Sequence, residues 1–214
     1  MQTARNVAYM PDIYISDSGF IVSWDSEGIF VYDYPKDLPR NFIQYEIGFT
    51  PEFEMQNIGL GTAKQIEFNW NYKSNIQKLC EYYNSINSHT DFEYYIDMQS
   101  ISFLLNGSYM QFGNLNDINL FPFLQNEEQT TSLYFHYIYQ LLIENIYKDF
   151  YTISGELGGR LNIPQLAVSV SFSDVQGKMY YKEMNIVCNT VFATVSPDNS
   201  GYAVVDLNIE TTQN

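Results

Sequence analysis

The stretch QLAVSVSF, residues 165–172, decides the fold of this 214-residue chain, because every second side chain in it is apolar. A period of two places the apolar side chains on one face of a strand and the small residues between them on the other. The apolar residues are Leu166, Val168, Val170 and Phe172. The stretch therefore predicts a strand with one buried face.

Two further β-forming stretches follow and complete a predicted β-meander at the C-terminal end of the sequence. Strands are predicted over 179–195 and 202–209, after turns at 174–177 and 197–201. The turns are rich in Asp, Asn, Ser and Gly, which tight turns favour. Because the middle stretch is long for one strand, we expect a bend near Asn185 or Asn189.

The first third of the chain is also predicted to be strand-rich. The predicted strands are 13–15, 19–24, 29–34, 42–49, 52–58 and 64–70. The second and third of these are predicted to pair as a hairpin, because the turn at 25–28 ends in Gly and separates two β-forming stretches. Pro35 and Pro39 cannot donate ladder hydrogen bonds, so they end this hairpin.

A first amphipathic helix is predicted over about residues 73–88. Apolar residues recur there at spacings of three and four, which places them on one helix face. They are Ile76, Leu79, Cys80, Tyr83 and Ile86. Ser74 and Gln77 match a capping box, which fixes the predicted start of the helix.

A second, longer helix is predicted over about residues 127–150, with Asn126 as its N-cap. Glu127 and Glu128 lie in the predicted first turn, where the helix dipole favours negative charge. Apolar side chains cover most sides of this helix. That pattern is typical of a helix between two layers or against another subunit.

Between the helices, strands are predicted over 92–96 and 100–105. Asn106-Gly107 favours a two-residue hairpin turn, because both residues tolerate positive φ. A loop-rich insertion is predicted at about 113–126. Its apolar group around Pro122 is expected either to enter the core or to face a neighbouring molecule.

Together these patterns predict an α+β fold. Its main part is antiparallel β-sheet or sandwich, with two amphipathic helices and the C-terminal β-meander. We expect a single domain over 1–214, since a chain of this length can bury roughly 70% of its unfolded surface in one core.

The charge of the chain limits its partners. It has 25 acidic and 10 basic side chains, which gives a net charge of −15. Tight binding to nucleic acid needs several Lys or Arg to displace counterions, so we expect no stable docking on DNA or RNA. No stretch approaches the apolar length of a membrane span or a signal peptide, so we expect no membrane insertion and synthesis in a cytoplasm.

Candidate catalytic residues are few, and the sequence predicts no catalytic, cofactor-binding or metal-binding residue. Cys80 and Cys188 are predicted to be buried and reduced, with a raised pKa for Cys80 on its apolar helix stripe. His89 is interpreted as a turn residue. His136 has Gln140 at i+4, so the spacing of a helical zinc site is missing. An enzyme whose site the fold assembles from carboxylates and one His is a further hypothesis, ranked after a structural subunit and a binding module.

Three segments resemble ligand-binding loops only in composition. The acidic turns at 25–28 and 198–201 could offer oxygen ligands to calcium, but neither has the ligand set of an EF-hand, and turn formation explains both better. The glycine-rich stretch at 155–160 lacks the Lys-Ser/Thr pair of a phosphate-binding loop and is interpreted as a hinge or bulge.

Aromatic residues point to protein contacts. The chain has 19 Tyr and 15 Phe, and Tyr combines a large apolar body with a polar tip that suits interfaces. We therefore predict an interface formed by the insertion and the start of the second helix. Its predicted residues are Leu120, Phe121, Phe123, Leu124, Tyr134 and Tyr137.

The leading hypothesis is a non-enzymatic structural subunit that works in a homo- or hetero-oligomeric assembly of protein subunits. An acidic, strand-rich chain with long loops is typical of components of phage virions or tails, so we expect the assembly to be of that kind. The alternative is a binding module that holds a carbohydrate or peptide with surface Tyr and Asn.

Overall fold

Three sheets and two helices make up the part of the chain that the structure, a computed structural model, describes. The described residues are 10–42, 44–48, 50–86, 92–97, 100–105, 108–113, 117–125, 129–154 and 161–212. Within these ranges every strand pair is antiparallel except one. The predicted α+β class with mainly antiparallel sheet is confirmed.

The elements are numbered here in chain order. They are β1 (Ile13–Ile15), β2 (Ser18–Trp24), a short 3₁₀ helix (Arg40–Phe42), β3 (Glu46–Ile47), β4 (Glu52–Asn57), β5 (Ala63–Asn69), α1 (Tyr72–Ile86), β6 (Phe92–Ile96), β7 (Ser100–Leu105), β8 (Ser108–Gly113), β9 (Ile118–Leu124), β10 (Thr130–Tyr134), α2 (Tyr137–Ser154), β11 (Leu166–Ser173), β12 (Met179–Val195) and β13 (Gly201–Thr211).

The largest sheet has seven strands in the order β3-β2-β13-β12-β11-β5-β9. It contains the predicted meander, since β11, β12 and β13 pair in sequence. The long middle stretch forms one strand, β12, whose pairing with β13 has a register shift between Thr190 and Phe192, close to Asn189, one of the two residues near which a bend is predicted. The two smaller sheets have the orders β1-β4-β10 and β6-β7-β8.

One apolar core joins the three sheets and the two helices. Its buried residues include Ile13 of β1, Phe68 of β5, Phe103 of β7, Leu79 of α1 and Ile143 of α2. α2 contacts α1, β2 and β13. This position agrees with the prediction that a helix apolar on most sides lies between layers.

A small second cluster covers the opposite face of β2 and β13. Ile21 and Val204 are buried there, and Ile47 and the partly buried Phe42 and Tyr45 pack over them. The segment that carries these residues is thereby held against the outer face of the sheet. This packing positions one wall of a polar cleft.

The second helix begins ten residues later than predicted. Residues 130–134 form β10, which pairs with β4 and places buried Leu133 opposite buried Phe53. The helix begins at Tyr137, where His136 Nδ1 accepts a hydrogen bond from the Ile138 amide at 3.2 Å. Pairing with an open sheet edge therefore outweighs the helical periodicity of this stretch. The predicted cap at Asn126 lies outside the described residues.

The first helix begins at Tyr72, so the predicted capping box at Ser74 is wrong. Its first amide is capped from a distance, since Asp117 Oδ1 accepts the Tyr72 N–H at 2.8 Å. A cap supplied 45 residues away leaves no local sequence signal. The helix is described as far as Ile86, and residues 87 and 88 lie outside the described part.

Two predicted strands in the first third are much shorter than expected. The strand predicted over 29–34 as the partner of β2 is reduced to a single bridge between Trp24 and Phe30. Phe30 packs against the core, and the Nζ of Lys148 on α2 lies 5.0 Å from its ring centroid. The strand predicted over 42–49 is reduced to Glu46–Ile47.

The insertion predicted as a loop at 113–126 contains a strand, β9, which pairs with β5. Pro122 is tolerated there because β9 is an edge strand, where a missing N–H breaks no ladder. In the preceding hairpin, Leu105 pairs with Ser108 as a two-residue turn requires. The turn residues Asn106 and Gly107 themselves lie outside the described residues.

Candidate functional site

The predicted interface residues of the insertion lie on the edge strand β9. Leu120 is 70% exposed and Phe123 is 49% exposed, whereas Phe121 is half-buried and Leu124 is buried in the core. Leu124 is therefore a core residue, and the interface prediction is wrong for its side chain. The other three residues lie at the border of the sheet, where they are accessible to a partner.

An apolar groove of about 500 Å³ lies beside β9. Its lining combines β5, β9 and the start of β12, and consists of Gln65, Ile66, Glu67, Leu120, Phe121, Pro122 and Met179. Met179 is 59% exposed, like its neighbours on β9. We call this groove and the exposed side chains of β9 the edge surface.

The two predicted interface tyrosines lie on other elements. Tyr134 is 59% exposed at the end of β10, opposite Glu52 of β4. Tyr137 is the first residue of α2, and its ring lies 6.2 Å from the ring of Phe112 on β8. The six predicted residues therefore belong to three different elements.

A polar cleft of about 450 Å³ lies on the outer face of β2 and β13, below the segment that leads into β4. Its described lining contains three carboxylates, two amide side chains and one tyrosine, and no Lys or Arg. The lining residues are Asp17, Ser18, Gly19, Gln44, Tyr45, Pro51, Glu52, Asp206 and Asn208.

Gly19 fixes the position of the tyrosine in this cleft. A Cβ at Gly19 would lie 2.6 Å from the Tyr45 ring and 2.7 Å from the Val205 carbonyl oxygen. Both distances are shorter than van der Waals contact, so only glycine lets the ring lie on β2. The Tyr34 hydroxyl donates to the Tyr45 carbonyl at 3.0 Å and holds the backbone from the other side.

The Tyr45 hydroxyl donates a hydrogen bond of 2.5 Å to Asp206 Oδ1. Burial, and after it the hydrogen bond and charge of Asp206, raises the pKa of Tyr45 to about 12, against an opposing contribution from Gln44. The phenol therefore stays protonated at neutral pH. It acts as a fixed donor to the carboxylate.

The remaining polar groups of the cleft are partly engaged by the protein. Asp17 Oδ1 accepts the Ile209 amide at 2.7 Å, and Asn208 Oδ1 accepts the Asn189 amide group at 2.7 Å. Ser132 donates to Glu52. These contacts orient each side chain and leave further hydrogen-bonding capacity at the cleft.

Sequence patterns alone do not predict this cleft. Tyr45 and Asp206 are 161 residues apart, and Asp17 reaches across 192 residues to Ile209. Gly19 is the one local sign, because a glycine inside a strand suggests close approach of another group. Its partner could be found only from the fold.

The cysteines are buried and unbridged, as predicted. Burial raises the pKa of both thiols, that of Cys188 to about 12 and that of Cys80 further.

Burial also lowers the pKa of His136, whose ring lies 4.5 Å from the Tyr72 ring. His136 is therefore a neutral packing and capping residue. His89 and the glycine-rich stretch at 155–160 lie outside the described residues.

The two acidic turns use their carboxylates in local hydrogen bonds, as turn formation requires. Asp25 Oδ1 accepts the amides of Glu27 and Ile29, both at 2.9 Å. Asp198 Oδ1 accepts the Ser200 amide and hydroxyl. In the described part of the chain, no group of three or more His, Cys, Asp or Glu side chains is arranged to hold a metal ion.

Glu144 is the most perturbed carboxyl group of the interior. It lies on α2, 4% exposed, and accepts a hydrogen bond of 2.8 Å from Gln140 Nε2. Burial raises its pKa to about 7, although the hydrogen bond from Gln140 opposes the shift. Burial, and after it the charge of Glu144, raises the pKa of Tyr32.

Neither described helix has the length and apolar character needed to span a membrane. Comparison with protein-family models, curated protein sequences and solved structures finds no match to this chain.

Proposed function

We propose that the protein is a non-enzymatic structural subunit of a larger protein assembly and that it meets its neighbour through the edge surface. The observation that carries this proposal is the exposure of large apolar side chains beside an apolar groove at a sheet edge. Contiguous exposed apolar surface is typical of protein interfaces. Among the described strands, β9 pairs on one side only, so its other side offers backbone groups that a partner can bind.

The charge distribution supports a second copy of the chain as that neighbour. Two copies that each carry a net charge of −15 repel one another over most of their surfaces. Residues 118–124 contain no charged side chain. The groove beside them has one charged side chain in its lining, Glu67. The edge surface is therefore a place where two copies can approach with little electrostatic repulsion.

Light scattering at low micromolar concentration tests the proposal. Wild type is expected to form a defined oligomer, and Leu120→Glu is expected to shift it to monomer, since it places a charge on the exposed edge. Leu60→Glu is the matched control, because Leu60 is 59% exposed outside the edge surface. A wild-type monomer at every concentration, or equal masses for both variants, contradicts the proposal.

A second candidate function is a binding module for a carbohydrate or peptide. It is supported by the polar cleft, whose lining includes Tyr45 and Asn208. The two functions use different surfaces, so one does not exclude the other. Membership of a phage virion or tail stays a prediction from composition and strand content.

A further inference from the structure

We propose that the polar cleft is a binding site for a neutral saccharide. The inference deepens the second candidate function and does not depend on the assembly. The cleft volume of about 450 Å³ lies within the range of about 300–1,000 Å³ that is usual for small-molecule sites.

The cleft offers both acceptors and donors. Asp17 and Asp206 each use one carboxylate oxygen in a contact within the protein, and the second oxygen of each has no partner among the described residues. The Asn208 amide group uses its oxygen, and its NH₂ group has no acceptor in the described ranges. A sugar hydroxyl donates one hydrogen bond and accepts two, so it matches such a mixed set.

The charge of the cleft selects against other ligands. Its carboxylates, without a described Lys or Arg in the lining, disfavour phosphate and acidic sugars. A cation would use acceptors only and would leave the donor NH₂ group of Asn208 unused. The three carboxylates also belong to no described group that could hold one metal ion. A neutral ligand rich in hydroxyl groups fits these conditions best.

The cleft is held in place before any ligand binds. Gly19 seats the Tyr45 ring, Asp206 holds its hydroxyl, and Tyr34 holds its backbone. Fixed groups lose little conformational entropy on binding, so each hydrogen bond to the ligand contributes more affinity.

The test is a glycan array of neutral, acidic and amino-sugar oligosaccharides, followed by calorimetry with the neutral glycan that binds most strongly. Wild type is expected to retain neutral glycans, and Asn208→Ala is expected to lower the affinity about tenfold through loss of one or two hydrogen bonds. Asn185→Ala is the matched control, because Asn185 lies outside the cleft on neighbouring β12. Its affinity is expected to equal that of wild type.

Other outcomes overturn the inference. They are no neutral glycan bound at millimolar concentration, equal affinity of Asn208→Ala and wild type, or preference for spermidine, calcium or amino sugars. If Asn208→Ala unfolds, Ser18→Ala removes a different polar group of the cleft, a hydroxyl, and is expected to weaken glycan binding severalfold. Leu120→Glu is expected to bind glycan like wild type, so failure of the assembly proposal and failure of the saccharide site are distinguishable.

Discussion

Replacement of Glu144 by Gln is expected to remove a pH dependence of stability that wild type has near neutral pH. The carboxyl group is buried in α2, and its pKa rises from an ordinary value of 4.5 to about 7 in the folded state. Between these values the folded protein binds more protons than the unfolded chain. The contribution of Glu144 to the free energy of unfolding is therefore fully present below pH 4.5 and is lost as the pH rises through 7.

The magnitude follows from the size of the pKa change. A change from 4.5 to about 7 is 2.5 units, which at 1.36 kcal/mol per unit is about 3 kcal/mol. Wild type is expected to lose most of this amount between pH 5 and pH 8. Glu144→Gln stays neutral and keeps the acceptor for Gln140, so it is expected to be about 3 kcal/mol more stable than wild type at pH 8 and less than about 1 kcal/mol more stable at pH 5.

Urea unfolding at several pH values from 5 to 8 measures this difference. Lower pH is avoided because the isoelectric point of about 4.2 favours precipitation. Glu183→Gln is the matched control, since it removes one negative charge from an exposed position of β12 outside both the edge surface and the polar cleft. It separates the effect of burial from the general effect of net charge. Parallel stability curves for wild type and Glu144→Gln would refute the reasoning.

Three further perturbations test the packing. Asp117→Ala removes the remote cap of α1 and is expected to cost about 1 kcal/mol in urea unfolding, while Asp117→Asn keeps an acceptor and costs less. Gly19→Ala forces the Tyr45 ring or the neighbouring strand to move, so a loss of about 1–3 kcal/mol is expected, and unchanged stability contradicts the close approach. Leu166→Ala is expected to cost about 2–5 kcal/mol because the side chain is fully buried, whereas Leu60→Ala, at an exposed position outside the edge surface, should change stability by less than about 0.5 kcal/mol in thermal unfolding.

The elements that could be predicted are those whose signal is local. The alternating pattern of β11 predicts its structure correctly, because its apolar residues pack on the core. This packing does not depend on which strands pair with β11. The apolar spacing of α1 likewise predicts its buried stripe, including Cys80. In both cases the periodicity and the tertiary packing favour the same structure, and such agreement is typical of stable natural sequences.

The elements that could not be predicted depend on distant partners. β10 carries helical periodicity, but pairing with β4 makes it a strand. β9 contains a proline and polar neighbours that favour a loop, but β5 offers it a sheet edge. The cleft could not be predicted for the same reason, since Gly19 and Asp206 pair only when β2 joins β13. Local sequence cannot specify contacts that the topology creates.

The distribution of charge connects the two proposals. An acidic surface opposes self-association everywhere except where charge is missing, and the uncharged strand β9 is such a place. The cleft is lined by Asp17, Glu52 and Asp206, and we expect the same acidity to disfavour anionic ligands there. On the two proposals, one property of the chain would favour assembly at an uncharged edge and would favour ligands without negative charge in the cleft. If raised salt strengthens oligomer formation and leaves glycan affinity unchanged, charge repulsion opposes assembly but does not affect glycan binding, as expected for a neutral ligand.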